Sequence, residues 1–331
     1  MRPFSYLRAA DDDRAMRAAS EPGAMFVAGG TTVVDLLRID VLRPALLVDV
    51  TGLQHGGIEA TPSGGVRIGA LARNSDVADH PLIRERYPAL AEALESGASP
   101  QLRNMATVGG NLLQRTRCPY FRDVGAPCNK RVPGMGCAAV DGYARSHAVL
   151  GTSDACIATH PSDMCVALVA LDAIIHTRRV TGERTIAMTD LHALPGARPE
   201  VEHVLERGEL ITDVELPASA FAKASCYEKV RDRAEFAFAL ASAAVGLELT
   251  GGTIAQARVA LGGVATKPWR AREAEAVLAG KPPAQALFER AAAAALAGAV
   301  TRPDNAFKVE LAKRTIVRAL LRATGAKAVH P

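Results

Sequence analysis

The sequence of 331 residues has no long apolar run, no block of like charge and no apolar segment near its first residue. A helix needs about 18 apolar residues in a row to cross a bilayer, so we expect no membrane insertion. Lysine and arginine (39) exceed aspartate and glutamate (35) by only four, and this balance predicts no nucleic-acid partner. The first 16 residues lack the apolar core of a signal peptide, so we expect no export signal on this chain.

Several catalytic motifs are also missing. The eight histidines form no H-E-x-x-H or His-x-His group, and no G-x-S-x-G elbow or Cys-His dyad stands out. These are the arrangements that metalloproteases and nucleophilic hydrolases use, so hydrolase and protease chemistry has no support. These motifs therefore provide no candidate catalytic residue.

The length predicts two or three domains at roughly 100 to 200 residues each. Residues 4–58 alternate helical and strand-like pieces, which predicts a small α/β unit with parallel pairing. A later helix ends near Gly97, and a strand ends at Pro217, where we place the boundary between domains 1–217 and 218–331. Beyond it, the pattern predicts three antiparallel strands, or a mixture of strands and helices, followed by two covering helices.

Two glycine pairs are candidate phosphate-binding loops. In residues 27–34 (VAGGTTVV), a strand ends and a helix begins, so the amides of the turn can face a phosphate, although such turns are structural more often than not. This loop lacks the Rossmann glycine spacing and the P-loop lysine, which disfavours those folds. Residues 107–111 (TVGGN) add a threonine hydroxyl, paired glycine amides and an asparagine side chain. Together the two loops favour a pyrophosphate or a ribityl chain.

Four of the six cysteines lie in a segment without helical or strand periodicity. Nine, eight and eighteen residues separate the members of this set, which are Cys118, Cys128, Cys137 and Cys156. A patternless segment of this length needs a cross-link of its own. Four thiolates suit either a structural zinc or a [4Fe–4S] cluster; the lack of C-x₂₋₄-C pairs favours the cluster and leaves zinc open. Cys165 and Cys226 have apolar flanks, so we exclude both as ligands.

Five basic residues accompany the cysteine segment. They either solvate a loop or compensate the negative charge of a thiolate-ligated cluster, and both interpretations stay open. These residues are Arg115, Arg117, Arg122, Lys130 and Arg131.

The motifs follow one another as AGGTT (28–32), ATVGGNLL (106–113), PSDMCVALVALDA (161–173), ELITDVELP (209–217) and YEKVRDRAEFAFAL (227–240). Their order and spacing resemble the FAD subunit of the xanthine dehydrogenase and carbon monoxide dehydrogenase family over almost the whole chain. The resemblance implies an α+β protein. Its first part is expected to be a vanillyl-alcohol-oxidase-type (PCMH-type) FAD-binding domain, and its second a CO-dehydrogenase-flavoprotein-like C-terminal α+β domain.

The resemblance also implies which residues bind FAD. The two loops are expected to bind its pyrophosphate, Asp163 to accept from ribityl or ribose hydroxyls, and Ile211 and Lys229 to lie near the flavin. The implied set is Phe26, Val27, Ala28, Gly29, Gly30, Thr31, Thr32, Val33, Thr107, Gly109, Gly110, Asn111, Asp163, Ile211 and Lys229. A lysine beside the flavin raises its reduction potential. Without the resemblance, an exposed Lys229 paired with Glu228 is the ordinary expectation.

Between TVGGN and the Ser-Asp segment, the chain carries an insertion over about residues 115–160 that most medium subunits of the family lack. It is similar to the insertion of bacterial three-subunit periplasmic aldehyde oxidases, whose FAD subunit binds an extra [4Fe–4S] cluster. The resemblance therefore implies the FAD-binding electron-transfer subunit of a heterotrimeric aldehyde oxidoreductase. Electrons would arrive from a molybdenum cofactor in a large subunit through [2Fe–2S] clusters in a small subunit, and leave from FAD to an external acceptor.

Other functions stay open at this point. A medium subunit like that of hydroxybenzoyl-CoA reductase, where a related insertion occurs, or of xanthine dehydrogenase is the nearest alternative. A stand-alone flavin oxidase is another, although no group of residues that could act as a base on a substrate is evident. A binding module without redox function, cross-linked by zinc, is a third. We expect a cytoplasmic protein, or a periplasmic one if a partner subunit carries the export signal.

Overall fold

The structure, a computed structural model, describes residues 1–325. Its first sheet has three parallel strands in the order β1-β3-β2, at Ser5–Arg8 (β1), Ala24–Val27 (β2) and Leu46–Asp49 (β3). Helices α1 (Asp12–Ser20) and α2 (Val33–Arg38) lie between these strands in sequence. The central strand β3 is the most buried, in keeping with its apolar sequence. The predicted parallel α/β unit is confirmed.

A second sheet has five antiparallel strands in the order β4-β5-β8-β6-β7. The strands are β4 (Ile58–Ala60), β5 (Val66–Gly69), β6 (Ile174–Arg179), β7 (Gly182–Ala187) and β8 (Leu210–Leu216). Apolar residues of β5, β6 and β8 are buried in the largest core cluster. This sheet brings residues that are far apart in sequence to neighbouring positions, because about 100 residues separate β5 from β6.

Short helices follow β5 and carry the chain to the second glycine pair. They are α3 (Asn74–Asp79), α4 (Pro81–Arg86), α5 (Pro88–Ser96), α6 (Pro100–Arg103) and α7 (Val108–Leu112). The prediction of one continuous helix ending near Gly97 is wrong, because two helices, α4 and α5, occupy this segment. Tyr87 has φ −138° and separates α4 from α5, because the ring of Pro88 disfavours helical geometry in the residue before it.

The cysteine segment contains only two single-turn helices, α8 (Pro119–Arg122) and α9 (Ala138–Asp141), which agrees with its missing periodicity. Its buried side chains form a separate small core with Leu36 and Val41, at α2 and just after it. The insertion therefore packs directly on the helix that follows the first glycine loop.

Order returns with α10 (Asp163–Ala170) and α11 (Met188–Leu191). Every residue of α10 is buried, and the helix contacts α5 on one side and the C-terminal sheet on the other. Asp163 at its first position thus lies where the two halves of the chain meet.

The C-terminal part has four antiparallel strands in the order β12-β11-β10-β9, at Ser225–Val230 (β9), Ala241–Thr250 (β10), Thr253–Gly262 (β11) and Trp269–Arg270 (β12). Its helices are α12 (Ala220–Lys223), α13 (Arg272–Leu278), α14 (Gln285–Ala295) and α15 (Phe307–Ala323). The three predicted antiparallel strands and the two predicted helices are confirmed. Helix α15, which packs on β10 and β9, was not predicted.

No helix in residues 1–325 is long and apolar enough to cross a bilayer. The final residues of the predicted C-terminal domain, 326–331, lie outside the described part of the chain.

Candidate flavin site

Loop 1, residues 28–32, connects β2 to α2, and most of its backbone N–H groups have no acceptor among residues 1–325. The amides of Gly29, Gly30, Thr31 and Thr32 donate no hydrogen bond to any of residues 1–325. Gly29 has no room for a side chain, since a Cβ there would lie 1.8 Å from the carbonyl oxygen of Met105. Gly30 has φ +72°, a conformation that glycine adopts without strain. Free amides before a helix form the arrangement that binds phosphate groups.

Loop 2, residues 107–111, has the opposite property. The Val108 and Gly109 amides donate to the carbonyls of Ala72 (3.0 Å) and Ala70 (2.8 Å), just beyond β5. The Gly110 amide donates to Thr107 Oγ1 (3.3 Å), which caps α7. The expectation of free glycine amides is therefore wrong for loop 2, because neighbouring carbonyls already accept from them. A ligand at loop 2 can therefore contact the glycine backbone, which has no side chains, and the side chain of Asn111.

Two cavities of about 610 and 560 Å³ meet at these loops and share Thr31, Thr32 and Gly110. The first is also lined by the predicted residues Phe26, Ala28, Gly29, Gly30, Val33, Thr107, Gly109 and Ile211. The second is also lined by Asn111, Asp163 and Lys229. Val27 is the one predicted flavin-site residue that lines neither cavity. Two joined cavities with free amides at their junction fit an elongated dinucleotide such as FAD.

The second cavity contains a buried ion pair. Lys229 Nζ lies 2.8 Å from Asp163 Oδ2 and donates to the carbonyl of Ser96 at 2.9 Å. Only 3% of the Lys229 side chain is exposed, so an exposed lysine paired with Glu228 is excluded. The Tyr227 hydroxyl donates to Asp163 Oδ1 at 2.5 Å, and burial together with the Asp163 charge holds the pKa of Tyr227 well above its usual value.

Sequence analysis missed Tyr227. It lies two residues before Lys229 on the same face of β9, so strand periodicity provides the signal that identifies it.

Asn111 is oriented by its neighbours. Its side-chain oxygen accepts from the Ser162 hydroxyl at 2.7 Å. Its side-chain nitrogen donates to none of residues 1–325 and is free to donate into the second cavity. Ser162, the residue just before Asp163, thus orients the side-chain amide of Asn111 in loop 2.

The four clustered cysteines come together, and none of them lines either cavity. Cys118, Cys128 and Cys156 are buried in one core, Cys137 packs against it, and Cys128 and Cys137 pair in an isolated antiparallel bridge. Burial raises the pKa of the Cys118 thiol to about 12, although the backbone N–H groups of Phe121 and Tyr120 favour its thiolate. Such thiols must release protons when they bind metal.

Most of the basic residues of the insertion form ion pairs with acidic side chains. Asp35, on α2, accepts from Arg117 at 2.8 Å and from Arg122 at 2.7 and 2.9 Å. The hydrogen bond and charge of Arg122, followed by the charge of Arg117, hold the pKa of Asp35 below its usual value. The insertion is thereby tied to the helix that begins immediately after loop 1.

A second link joins the insertion to the first cavity. Glu202 accepts from Arg115 at 2.7 Å and from Lys130 at 2.9 Å. Burial raises the pKa of Glu202, but the charges of Arg115 and Lys130 outweigh burial and leave it below its usual value. The fifth basic residue, Arg131, donates to the carbonyls of Tyr120 and Phe121 at 2.8 Å each. Asp35 and Glu202 gave no signal in the sequence because their partners lie more than 70 residues away.

Behind loop 2, ligand atoms of His160, Cys165 and His192 lie within 4.8 Å of one another. The Ser162 amide donates to His160 Nδ1 at 3.3 Å, so the neutral ring carries its proton on Nε2. His192 Nε2 donates to the Leu112 carbonyl at 2.8 Å. Burial lowers the pKa of His192 to about 4 and raises that of Cys165 to about 12. Only one of the two imidazoles therefore directs a lone pair toward the other side chains of this group. The three residues are thus better suited to packing behind loop 2 than to binding a metal ion.

A family model described as the FAD binding domain in molybdopterin dehydrogenase matches residues 2–219. A second model, described as the CO dehydrogenase flavoprotein C-terminal domain, matches residues 225–323. The chain is 49% identical to the aldehyde oxidoreductase FAD-binding subunit PaoB of Escherichia coli (strain K12), over 98% of this chain and 99% of that protein. It is 28% identical to the glyceraldehyde dehydrogenase medium chain of Sulfolobus acidocaldarius, over 84% of this chain and 82% of that protein.

Solved structures of similar architecture include carbon monoxide dehydrogenase from Hydrogenophaga pseudoflava, with a TM-score of 0.76, 25% identity, and 98% of this chain and 99% of that chain covered. Quinoline 2-oxidoreductase from Pseudomonas putida 86 has a TM-score of 0.75 at 25% identity, with 98% of each chain covered. The expected fold class, an FAD-binding domain followed by a CO-dehydrogenase-flavoprotein C-terminal domain, is confirmed. The chain belongs to the family of FAD-binding subunits of molybdenum hydroxylases.

Proposed function

We propose that this chain is the FAD-binding electron-transfer subunit of a heterotrimeric molybdenum aldehyde oxidoreductase. The observation that carries the proposal is the 49% identity, over nearly the full length of both chains, to an aldehyde oxidoreductase FAD-binding subunit. A large subunit would oxidise the aldehyde to a carboxylic acid with an oxygen atom taken from water, releasing two electrons and two protons. A small [2Fe–2S] subunit would relay the electrons to this chain, and an external acceptor would remove them.

We propose that FAD occupies the two joined cavities. Loop 1 supplies free amides for the pyrophosphate, and loop 2 supplies a glycine backbone that permits close approach, together with the Asn111 side chain. Ile211 lines the first cavity, and Asp163 and Lys229 line the second. Bound FAD supplies the redox chemistry; the residues of this chain bind and orient it. The charge of Lys229 is balanced by Asp163, so its effect on the flavin potential is smaller than that of an unpaired lysine.

We also propose that Cys118, Cys128, Cys137 and Cys156 ligate a [4Fe–4S] cluster. In a tetrahedral zinc site with Zn–S bonds of about 2.3 Å, the sulfurs lie about 3.8 Å apart. No three of these four sulfurs, all within the described residues, lie inside 4.8 Å of one another. A cubane places several iron and sulfide atoms between its thiolates, so the wider arrangement favours iron over a single zinc ion.

Metal analysis tests the cluster assignment. The anaerobically purified full chain should contain about four irons and four acid-labile sulfides. Cys128→Ser should lower the iron content and loosen the segment between Cys118 and Cys156. The matched controls are Cys165→Ser and Cys226→Ser, which alter buried cysteines outside this segment and should leave iron unchanged. Zinc in place of iron in the native protein would refute the assignment.

Activity measurements test the electron-transfer role. The full chain alone, assayed with aromatic and aliphatic aldehydes and an artificial acceptor, should show no turnover although its flavin can be reduced chemically. Adding the molybdenum and [2Fe–2S] subunits should restore aldehyde oxidation. Turnover by the isolated chain would favour a self-contained flavin oxidase instead.

Two further proposals concern organisation. We propose a division at Pro217 into an FAD-binding domain (1–217), carrying the insertion at about 115–160, and a C-terminal domain (218–331). Limited proteolysis that releases stable fragments divided near this position would support it. We also propose that the compartment of this chain follows that of its partner subunits. Fractionating cells with and without the large subunit tests this.

A further inference from the structure

Among the four clustered cysteines, only Cys118 has a side-chain hydrogen-bond partner within residues 1–325. His147 Nε2 lies 3.1 Å from Cys118 Sγ, and both residues are buried, with His147 only 2% exposed. The Cys156 sulfur accepts only a long backbone contact from the Ala158 amide, at 3.5 Å. Within residues 1–325, no side chain donates to Cys128 or Cys137. The environment of the four sulfurs is therefore asymmetric.

The direction of the His147–Cys118 hydrogen bond follows from its surroundings. His147 Nδ1 is buried and has no hydrogen-bond partner among the described residues. If Nε2 carried a lone pair, that lone pair would face the electron-rich sulfur of a metal-ligating thiolate and repel it. Placing the proton on Nε2 turns the contact into an N–H···S hydrogen bond to an ionised acceptor, which is the favourable arrangement.

The backbone around His147 is fixed from two sides. Its amide donates to the Ala144 carbonyl at 2.9 Å. Its carbonyl accepts from Lys308 Nζ at 2.9 Å, and the same ammonium donates to the Ser146 carbonyl at 3.1 Å. Lys308 belongs to α15 and is fully buried, so the C-terminal part of the chain helps to hold the backbone that carries the imidazole. A backbone held at both its amide and its carbonyl limits how far the ring can move from the sulfur when charge on the sulfur changes.

We propose that His147 is a positioning residue that donates to the Cys118 thiolate and raises the reduction potential of the cluster, an inference that rests on the proposed [4Fe–4S] site. Reduction adds negative charge to the cluster and its thiolates. A fixed N–H donor stabilises the reduced form more than the oxidised form, and hydrogen bonds to the sulfurs are among the factors that set cluster potentials. The iron bound by Cys118 then differs from the other three.

Redox titration of the full chain, followed by electron paramagnetic resonance, measures this effect. His147→Leu removes the donor, and at a fixed ambient potential we expect about tenfold less reduced cluster relative to oxidised cluster, or about 59 mV for a one-electron couple. His147→Gln retains an N–H donor and should stay closer to the wild type. The matched control is His176→Leu, which changes a partly exposed histidine of the five-stranded sheet and should leave the potential unchanged. An unchanged potential in an iron-replete His147→Leu protein overturns the inference.

The wild-type protein provides a second measurement that does not depend on variants. With ¹⁵N-labelled histidine, the reduced cluster should show a nitrogen hyperfine coupling in pulsed resonance spectra, and His147→Gln should abolish it. If both variants lose their iron, absence of this coupling in the wild type overturns the role of His147. If the wild type contains no iron, the cluster assignment itself fails, and a cluster without the coupling contradicts only the inference.

Discussion

The two glycine loops of the flavin site are similar in sequence and opposite in structure. Loop 1 leaves four consecutive amides without an acceptor among residues 1–325, whereas loop 2 uses its amides on Ala70, Ala72 and Thr107. A glycine pair predicts a backbone that can approach a ligand closely. It does not predict whether the N–H groups are available, since this depends on carbonyls elsewhere in the chain. We therefore expect loop 1 to bind phosphate by donation and loop 2 by close approach.

The largest effect is expected in loop 1. Gly29→Ala places a Cβ 1.8 Å from the Met105 carbonyl, so the loop must shift and its free amides must leave their positions. We expect loss of most bound FAD, and a fall in the free energy of unfolding of about 3 kcal/mol from overpacking. Visible absorbance per chain and denaturant unfolding measure the two quantities. The control is Gly56→Ala, where nothing lies within 4 Å. Full FAD content in Gly29→Ala would contradict the packing of loop 1.

Gly110→Leu tests close approach in loop 2. The added side chain would project where the two cavities meet, and we expect FAD to bind at least about tenfold more weakly, or about 1.4 kcal/mol. Gly110→Ala is the milder partner, since its Cβ would contact only Thr107 Oγ1, at 3.1 Å. Titration of the FAD-free proteins with FAD measures both. Full occupancy in a folded Gly110→Leu protein would remove loop 2 from the site.

Thr107→Ala should have a smaller effect. It removes the cap of α7 and should lower the free energy of unfolding by about 1 kcal/mol. FAD affinity should change little, because the Gly110 amide bonded to this hydroxyl is not a ligand donor in our interpretation. Thr107→Ser keeps the hydroxyl and should restore stability. A large loss of FAD affinity with unchanged stability would mean that loop 2 donates to FAD after all.

The smallest change is expected in the amide exchange of loop 2. Removing FAD should strongly increase hydrogen exchange at residues 29–32, whose amides lose their only acceptor. Residues 108–111 should exchange at similar rates with and without FAD, because their acceptors belong to the protein. Equal changes in both loops would show that the two bind FAD in the same manner.

Local patterns in the sequence predicted the local structure well. The parallel first sheet, the C-terminal antiparallel strands and the irregular cysteine segment all follow from periodicity. The break at Tyr87 required weighing Pro88 against a continuous apolar pattern. Helix α15 was missed although its buried residues Ala312, Thr315, Ile316, Ala319 and Leu320 have helical spacing.

The arrangement of the site depends on distant pairs that no local pattern contains. Asp35 meets Arg117 and Arg122, and Glu202 meets Arg115, only because the insertion folds back on the FAD-binding core. The pairing of Lys229 with Asp163 is likewise a contact between residues far apart in sequence, which no local pattern predicts. Family resemblance identified Lys229 and Asp163 as site residues, but it gave no reason to pair them.

The buried ammonium of Lys308 has a consequence for the order of events during synthesis. It reaches the His147 carbonyl from 161 residues further along the chain. At about 5–20 residues per second, a ribosome needs about 8 to 32 seconds to cover that interval. Until α15 has been synthesised, the carbonyls of Ser146 and His147 lack the Lys308 donor, so the backbone that carries His147 is not yet held from this side. We therefore expect the proposed cluster to be inserted most easily before α15 docks on the rest of the chain.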